Sequence, residues 1–85
     1  MEYYFYILFS ESANKYYTGF TSNLDGRIAA HNHPANKGWT RTYKPWKLVH
    51  SEVFITKKEA MEREKQVKKL KSKDMIRKII QNKTL

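Results

Sequence analysis

The chain begins with a nearly unbroken run of apolar and aromatic residues, and this run restricts the possible folds. Residues 2–9 read Glu-Tyr-Tyr-Phe-Tyr-Ile-Leu-Phe. A run of this kind without polar alternation is typical of a central strand that is covered on both faces. Successive side chains of a strand point to opposite faces, so Tyr6 and Leu8 share one face while Phe5 and Ile7 share the other. The rest of the chain must therefore supply a layer on each side of this strand.

A second strand is expected to pair back on the first as a hairpin. Residues 10–15 are polar and supply the turn, and residues 16–21 are again rich in aromatic and β-branched residues. Gly19 marks a point where the backbone turns or another group comes close. Polar residues that can cap a helix follow, and a helix is expected over 23–32. Gly26 lies inside that helix at a cost of about 1 kcal/mol relative to alanine, and nothing in the sequence explains it.

This helix carries two residues with chemistry on one face. Arg27 and His31 are four residues apart, so their side chains project from the same side. Tyr17 comes from the strand just before it. The three side chains can therefore converge on one small volume. The alternative is that Tyr17 is a core residue, Arg27 is solvated and His31 merely lies near a helix terminus.

The remaining elements complete a small α+β domain. Residues 46–55 have the composition of a third strand, and Thr56 to Glu59 has the spacing of a capping box that opens a helix. The sequence thus predicts one α/β (α+β) domain over residues 1–85, with a small, mostly antiparallel three-stranded sheet flanked by helices. Strands are expected near 3–9, 16–21 and 46–55, and helices near 23–32, 57–70 and 73–82.

Glu64 is the acidic residue that helical periodicity singles out. The apolar stripe of the helix over 57–70 consists of Ala60, Met61, Val67 and Leu70. At about 100° per residue Glu64 falls inside this stripe. A carboxylate on a buried face is costly unless it is paired or binds a cation. The alternative is a rim position from which the carboxylate reaches Lys68 or Lys71.

The charge distribution points to a polyanionic partner. The formal net charge is +9, and residues 56–85 contain eleven lysines and arginines against four acidic residues. Such a basic segment suggests nucleic acid, although it also fits a solvated lysine-rich helix. In the expected loop over 35–45, cations alternate with aromatic residues, a pattern that can hold phosphates and stack on bases. The residues concerned are Lys37, Trp39, Arg41 and Lys44; Trp39 can equally pin the loop to the core.

Composition excludes several classes of function. There is no cysteine, which excludes disulfides, thiol chemistry and zinc–thiolate sites. With 85 residues the core must be small, so we do not expect a large substrate pocket. We also expect no organic cofactor. No apolar run has the length of a signal peptide or a membrane span, and we expect a cytoplasmic protein without membrane contact.

Taken together, these residues resemble the GIY-YIG endonuclease family, and in particular its small stand-alone bacterial members. The resemblance covers about residues 3–80 and rests on an ordered set: Tyr4-Phe5-Tyr6, Tyr17-Thr18-Gly19, Arg27, His31 and Glu64. Thr40-Arg41 followed by Pro45-Trp46 is also similar to a loop of the stand-alone group. Tyr4 replaces the glycine of the family name, Thr18 replaces its isoleucine, and no asparagine follows Glu64 closely.

The resemblance implies a metal-dependent endonuclease that hydrolyses phosphodiester bonds in DNA with one divalent ion, Mg²⁺ or Mn²⁺. Glu64 would bind the ion, and Arg27 would stabilise the charge of the transition state. Tyr17 would take the proton from water, with Tyr6 and His31 orienting it; His31 is the alternative base.

The expected substrate is DNA, contacted by the loop residues named above and by Lys68. Low sequence specificity is expected, because the chain has no room for a separate recognition domain, and structured or single-stranded DNA is a plausible substrate. A second hypothesis is a non-catalytic nucleic-acid-binding or repair adaptor module on the same scaffold. The intact five-residue set favours the nuclease. Plasmid nicking with and without metal distinguishes the two.

Overall fold

The structure, a computed structural model, describes residues 1–33, 45–70 and 72–82. Its helices and strands follow the chain in the order β1 Tyr3–Ser10, β2 Lys15–Thr21, α1 Leu24–Asn32, β3 Lys47–Phe54, α2 Lys57–Lys68 and α3 Lys73–Asn82. The predicted α+β class and all six elements are confirmed, with boundaries that agree to within two residues. None of the described helices combines the length and the apolar character that crossing a membrane requires.

Strand β1 is the central strand of the sheet, as its continuous apolar run predicts. The strand order is β2-β1-β3, and both pairings are antiparallel. In the hairpin Tyr6 is the partner of Gly19, and Leu8 is the partner of Tyr17. The hairpin turn contains Asn14 with φ 52°, a left-handed conformation that asparagine tolerates better than most residues. The register therefore sets Tyr6 directly beside the only glycine of the second strand.

The two faces of β1 belong to two separate clusters. Phe5 and Ile7 are fully buried together with Val67 of α2, and isoleucines of α3 pack against them. On the other face Tyr6 and Leu8 are buried with Trp46, and Leu24 and Ile28 of α1 cover them. Each large apolar side chain buried in this way contributes about 1.5–3 kcal/mol. Helix α1 thus lies on the tyrosine face, while α2 and α3 cover the opposite face.

Helix α2 begins where the sequence predicts and ends slightly earlier. The Thr56 hydroxyl accepts from the Glu59 backbone N–H at 3.2 Å, and the Glu59 carboxylate accepts from the Thr56 N–H at 3.2 Å. This is the predicted capping box. At the other end the Leu70 N–H bonds to the Val67 carbonyl at 3.0 Å, a tight turn that ends the α-helix at Lys68.

The position of Gly26 is explained by the cap of α1. The Asn23 side chain accepts from the Gly26 backbone N–H at 3.2 Å and caps the helix. A Cβ on residue 26 would lie 2.4 Å from the Asn23 side-chain nitrogen. Glycine therefore leaves room for the capping amide, a requirement that depends on the conformation of the Asn23 side chain.

Candidate active site

Tyr6 lies at the centre of the candidate site, and Gly19 makes room for it. The Tyr6 side chain is fully buried on the α1 face of the sheet. Its ring extends across β2 above Gly19, where an added Cβ would meet the Tyr6 hydroxyl at 2.6 Å. Contacts this short are not tolerated, so a residue with a side chain at position 19 would displace the ring. Glycine in the second strand is thus a requirement of the tyrosine in the first.

His31 and Tyr17 complete a compact aromatic group with Tyr6. The Tyr6 hydroxyl and His31 Nε2 are hydrogen-bonded at 3.2 Å, with a direction that follows the histidine tautomer. The Tyr17 and His31 ring centroids are 4.6 Å apart in an edge-to-face arrangement. The Tyr6 and Tyr17 rings are 6.3 Å apart. Tyr6 and His31 are buried whereas Tyr17 is partly exposed, so Tyr17 is the member of this group that solvent reaches most easily.

Arg27 brings a positive charge to the hydroxyl groups. It lies on the exposed side of α1, one turn before His31, and its guanidinium interacts with Tyr6 and less strongly with Tyr17. The hydrogen bond with Tyr6 is the main reason that the pKa of Arg27 is raised. Among the described residues no carboxylate forms an ion pair with Arg27. An arginine that is exposed and not neutralised is well suited to receive an anion.

The protonation states follow from burial and from this charge. Burial raises the pKa of Tyr6 to about 12, although Arg27 opposes the rise, so the Tyr6 hydroxyl keeps its proton at neutral pH. Burial also lowers the pKa of His31, and the charge of Arg27 lowers it further. His31 is therefore a neutral imidazole at neutral pH. The cluster offers a hydroxyl donor, a neutral imidazole and a guanidinium within one small volume.

Glu64 approaches this group from α2. Its charge contributes to the raised pKa of Tyr6, which places the carboxylate within electrostatic reach of the hydroxyl. The Glu64 side chain is 17% exposed, and Lys68 Nζ lies 3.6 Å from its Oε1. The sequence allowed Glu64 either a buried position in the apolar stripe or a rim position that reaches Lys68 or Lys71. The structure combines the two, because the Glu64 side chain is largely buried and still reaches Lys68.

The donor set around Glu64 restricts which metal can bind. Within residues 1–33, 45–70 and 72–82, no three histidine, aspartate, glutamate or cysteine side chains gather in one place. That argues against a protein-enclosed zinc or calcium site in this part of the chain. Magnesium differs, because it commonly keeps several waters and binds through one or two carboxylates together with substrate phosphate. One partly exposed carboxylate fits a hydrated ion of this kind.

Two contributors to the site were not among the predicted site residues. The Trp46 ring is 3% exposed and contacts the Tyr17 ring at 6.2 Å between centroids. Asn32, the last residue of α1, forms hydrogen bonds with the Trp46 backbone. Pro45-Trp46 is part of the resemblance, but no local pattern predicts that Trp46 contacts Asn32, because these positions are 14 residues apart. The predicted nucleic-acid contacts Lys37, Trp39, Arg41 and Lys44 lie outside the described residues.

Comparison with known proteins decides the family. The family model of the GIY-YIG catalytic domain matches residues 2–79, which is nearly the whole chain. The chain belongs to the GIY-YIG family. The expected membership is confirmed, and the family is one of nucleases that typically use a divalent metal ion and act on nucleic acid.

Individual relatives match the chain over about two thirds or more of their own length. A UPF0213 protein of Staphylococcus haemolyticus is 46% identical over 65% of this chain and 67% of its own length. A UPF0213 protein of Bacillus licheniformis is 39% identical over 84% of this chain and 72% of its own length. The solution NMR structure of a UPF0213 protein from Bacillus halodurans matches with a TM-score of 0.62 and 35% identity, covering 98% of this chain and 86% of that one. Sequence and fold comparisons thus agree over the region that contains all five candidate site residues.

Proposed function

We propose that this protein is a divalent-metal-dependent endonuclease that hydrolyses phosphodiester bonds in DNA. The observation that carries the proposal is the meeting of Arg27 with two tyrosine hydroxyls, a neutral His31 and Glu64, drawn from four different elements of a nuclease-family fold. Nothing local in the sequence brings these side chains together. A packing requirement alone explains the tyrosines, but it does not explain a guanidinium that faces them and has no ion-pair partner in the part of the chain that the structure describes.

Arg27 is proposed to bind the scissile phosphate. Its planar guanidinium can donate two hydrogen bonds to phosphate oxygens and oppose the charge that grows on them in the transition state. Arg27 already interacts with the Tyr6 hydroxyl, so its positive charge lies at the site before substrate arrives. Preorganisation of this kind removes a reorganisation cost from the reaction step.

Tyr17 is proposed as the group that takes the proton from water. His31 is 8% exposed, and the Tyr6 hydroxyl already occupies its Nε2. Tyr17 is more accessible than His31, and it interacts with the Arg27 guanidinium. Tyr6 keeps its proton and serves to orient its neighbours.

The pH dependence of cleavage separates the two candidate bases. A single-turnover rate that keeps rising above pH 7 would exclude His31 as the base and leave that role with Tyr17. If His31 is the base, the rate reaches its plateau by neutral pH, since the pKa of His31 is lowered from 6.5. A plateau by neutral pH that His31→Gln abolishes would transfer the role to His31.

Glu64 is proposed to hold Mg²⁺ or Mn²⁺. When bound, such an ion acts as a Lewis acid toward the phosphate oxygens. Glu64 would supply a carboxylate oxygen to the ion, and its negative charge also acts on the Tyr6 hydroxyl. Lys68 shares this carboxylate at 3.6 Å and is itself mostly exposed, so it is available to a nearby phosphate.

Nucleic-acid binding is proposed to follow the basic residues around the site. Of the lysines on α2, Lys65 and Lys68 are exposed in its last turn, on the same helix as Glu64. The four loop residues that resemble a phosphate- and base-binding segment are proposed to contact the same substrate. Contacts of this kind hold the backbone without reading its sequence, and we therefore propose low sequence specificity.

A plasmid-nicking assay tests the proposal. Purified protein should convert supercoiled DNA to the open circular form with Mg²⁺ or Mn²⁺, and EDTA should stop the reaction. Arg27→Ala prepared in parallel controls for contaminating nucleases, because a contaminant would cleave equally in both preparations. DNA binding without cleavage under any of these conditions would instead support the non-catalytic module.

A further inference from the structure

A single asparagine side chain ties the end of α1 to the start of β3. Asn32 Nδ2 donates to the Trp46 carbonyl at 3.0 Å, and the Trp46 backbone N–H donates to Asn32 Oδ1 at 2.6 Å. The carboxamide therefore pairs with both backbone groups of one residue, much as a neighbouring strand would. Trp46 lies just before β3, beyond the last β1–β3 pair of Phe9 and Lys47. Asn32 thus continues the pairing where the sheet ends.

This pair closes a ring of contacts through the candidate site. The Trp46 side chain is 3% exposed and packs with Tyr6 and Leu8, and its ring contacts Tyr17 at 6.2 Å. Tyr17 in turn contacts His31 at 4.6 Å. His31 precedes Asn32 in the chain, so the contacts run from Asn32 through Trp46, Tyr17 and His31 back to Asn32. Three separate segments of the chain are fixed relative to one another by this ring.

We propose that Asn32 is a positioning residue that sets the distance between the His31 and Tyr17 side chains. It does not touch the reacting atoms; it acts by holding the His31 end of α1 against the residue that packs on Tyr17. An amide side chain is required because its nitrogen must donate to the Trp46 carbonyl while its oxygen accepts from the Trp46 N–H. It must also be long enough to reach both backbone groups. The effect of Asn32 on the distance between the His31 and Tyr17 side chains is expected in the protein without DNA. Its effect on catalysis rests on the proposed nuclease function.

The helix provides a matched control at its other end. Asn23 caps the first turn of α1 through its bond to Gly26. Asn23→Ala and Asn32→Ala each remove the side-chain hydrogen bonds of one asparagine at one terminus of the same helix, and both are expected to reduce stability. Asn23 does not bond to Trp46, so it lies outside the ring of contacts.

The first measurement uses the DNA-free protein. Nuclear Overhauser effects between the His31 and Tyr17 ring protons should be present in the wild type and in Asn23→Ala, and lost or much weaker in Asn32→Ala. The second measurement is cleavage at saturating DNA, on folded protein. Asn32→Ala should lower kcat by about ten- to hundredfold with little change in KM, because small misplacements of catalytic groups have effects of this size. Asn32→Gln keeps both groups on a longer stem and should recover part of the loss.

The results that would overturn the proposal are distinct from a failure of the nuclease assignment. If Asn32→Ala retains the ring contacts, or if its kcat falls no further than that of Asn23→Ala, Asn32 has only a structural role. If the wild type does not cleave DNA, the nuclease proposal fails while the ring-proton measurement still decides the placement. If Asn32→Ala does not fold, the same comparison is made with Asn32→Ser, whose single short hydroxyl cannot span both groups of Trp46; retained ring contacts there would likewise overturn the proposal.

Discussion

Two buried histidines lie on opposite faces of the sheet, and each has an arginine nearby. The two sites differ in whether a carboxylate neutralises that arginine. His50 of β3 bonds to Glu52 at 2.7 Å, and Arg63 of α2 binds the same carboxylate through two nitrogens at 3.0 and 3.1 Å. We call these three residues the glutamate cluster. The tyrosine cluster consists of Tyr6, Tyr17, Arg27 and His31. In the first cluster a carboxylate neutralises the arginine; in the second the arginine faces hydroxyl groups and a neutral imidazole.

The difference separates a structural arginine from one suited to a ligand. Arg63 has its carboxylate partner, also bonds to Gln66 at 2.7 Å, and lies 5.7 Å from the centre of the Phe5 ring. Its hydrogen-bonding capacity is largely used inside the protein. Arg27 is more exposed, and among the described residues it has no acidic partner. An incoming phosphate can supply the charge that the tyrosine cluster lacks.

The largest expected difference is between Arg27→Ala and Arg63→Ala. Arg27→Ala should reduce the single-turnover cleavage rate by about 10²–10³-fold, the usual effect of losing one transition-state charge partner. Its urea midpoint should stay close to that of the wild type because the side chain is exposed. Arg63→Ala should cleave normally at a temperature where it is folded. Equal losses of cleavage in the two variants would abolish the distinction between the clusters.

A smaller effect on stability is expected for Glu52→Gln. Burial acts to raise the pKa of Glu52, but hydrogen bonds from Arg63 and His50 outweigh it and hold the pKa below its ordinary 4.5. A carboxylate whose pKa is lowered in the folded state stabilises the protein at pH values above its unfolded-state pKa. This stabilisation is lost as the pH falls through the lowered pKa of the folded state. Glu52→Gln should cost about 1–3 kcal/mol at pH 7 and flatten the acid side of the stability curve.

Urea unfolding between neutral and acidic pH measures this effect. Glu62→Gln is the matched control, since Glu62 is exposed on α2 and should lose little stability. If the free energy of unfolding of Glu52→Gln changes with pH in the same way as that of the wild type, the pKa of Glu52 is not lowered in the folded protein. Cleavage by both variants should remain at the wild-type level.

The smallest effect is expected for Gly26→Ala, next to Arg27. Alanine improves helix propensity by about 1 kcal/mol, but its Cβ would meet the capping side chain of Asn23 and cost about the same amount. The free energy of unfolding should therefore change by less than about 1 kcal/mol. In an Asn23→Ala background the obstacle is gone, and Gly26→Ala should then stabilise the protein. A double-mutant cycle in urea checks this; no coupling between the two positions would show that the cap does not explain the glycine.

What the sequence predicts correctly is mostly local. The unbroken run of β1 determines a strand covered on both faces, and the Thr56–Glu59 spacing determines where α2 begins, because both patterns depend on neighbouring residues. Helical periodicity also predicts that Arg27 and His31 share one face of α1 and that Glu64 lies in the apolar stripe of α2. Their roles in catalysis are proposals.

What the sequence could not predict depends on register and on side-chain conformation. The need for Gly19 arises only when β1 and β2 pair so that Tyr6 lies beside it. The bond between Asn32 and Trp46 joins positions 14 residues apart. The glutamate cluster forms because Arg63, among the several cations of α2, bonds to Glu52. The composition of the helix does not show which of these cations pairs with Glu52.

The most direct test of the proposed function compares Glu64→Gln with Glu52→Gln. Each change removes one carboxylate charge while preserving the shape of the side chain, one beside the tyrosine cluster and one in the glutamate cluster. Single-turnover cleavage of plasmid DNA is measured for both with Mn²⁺ and with Mg²⁺. The proposed site predicts that Glu64→Gln loses cleavage by about 10²-fold or more while remaining folded, and that Glu52→Gln cleaves like the wild type. Metal-dependent cleavage that persists undiminished in Glu64→Gln would contradict it.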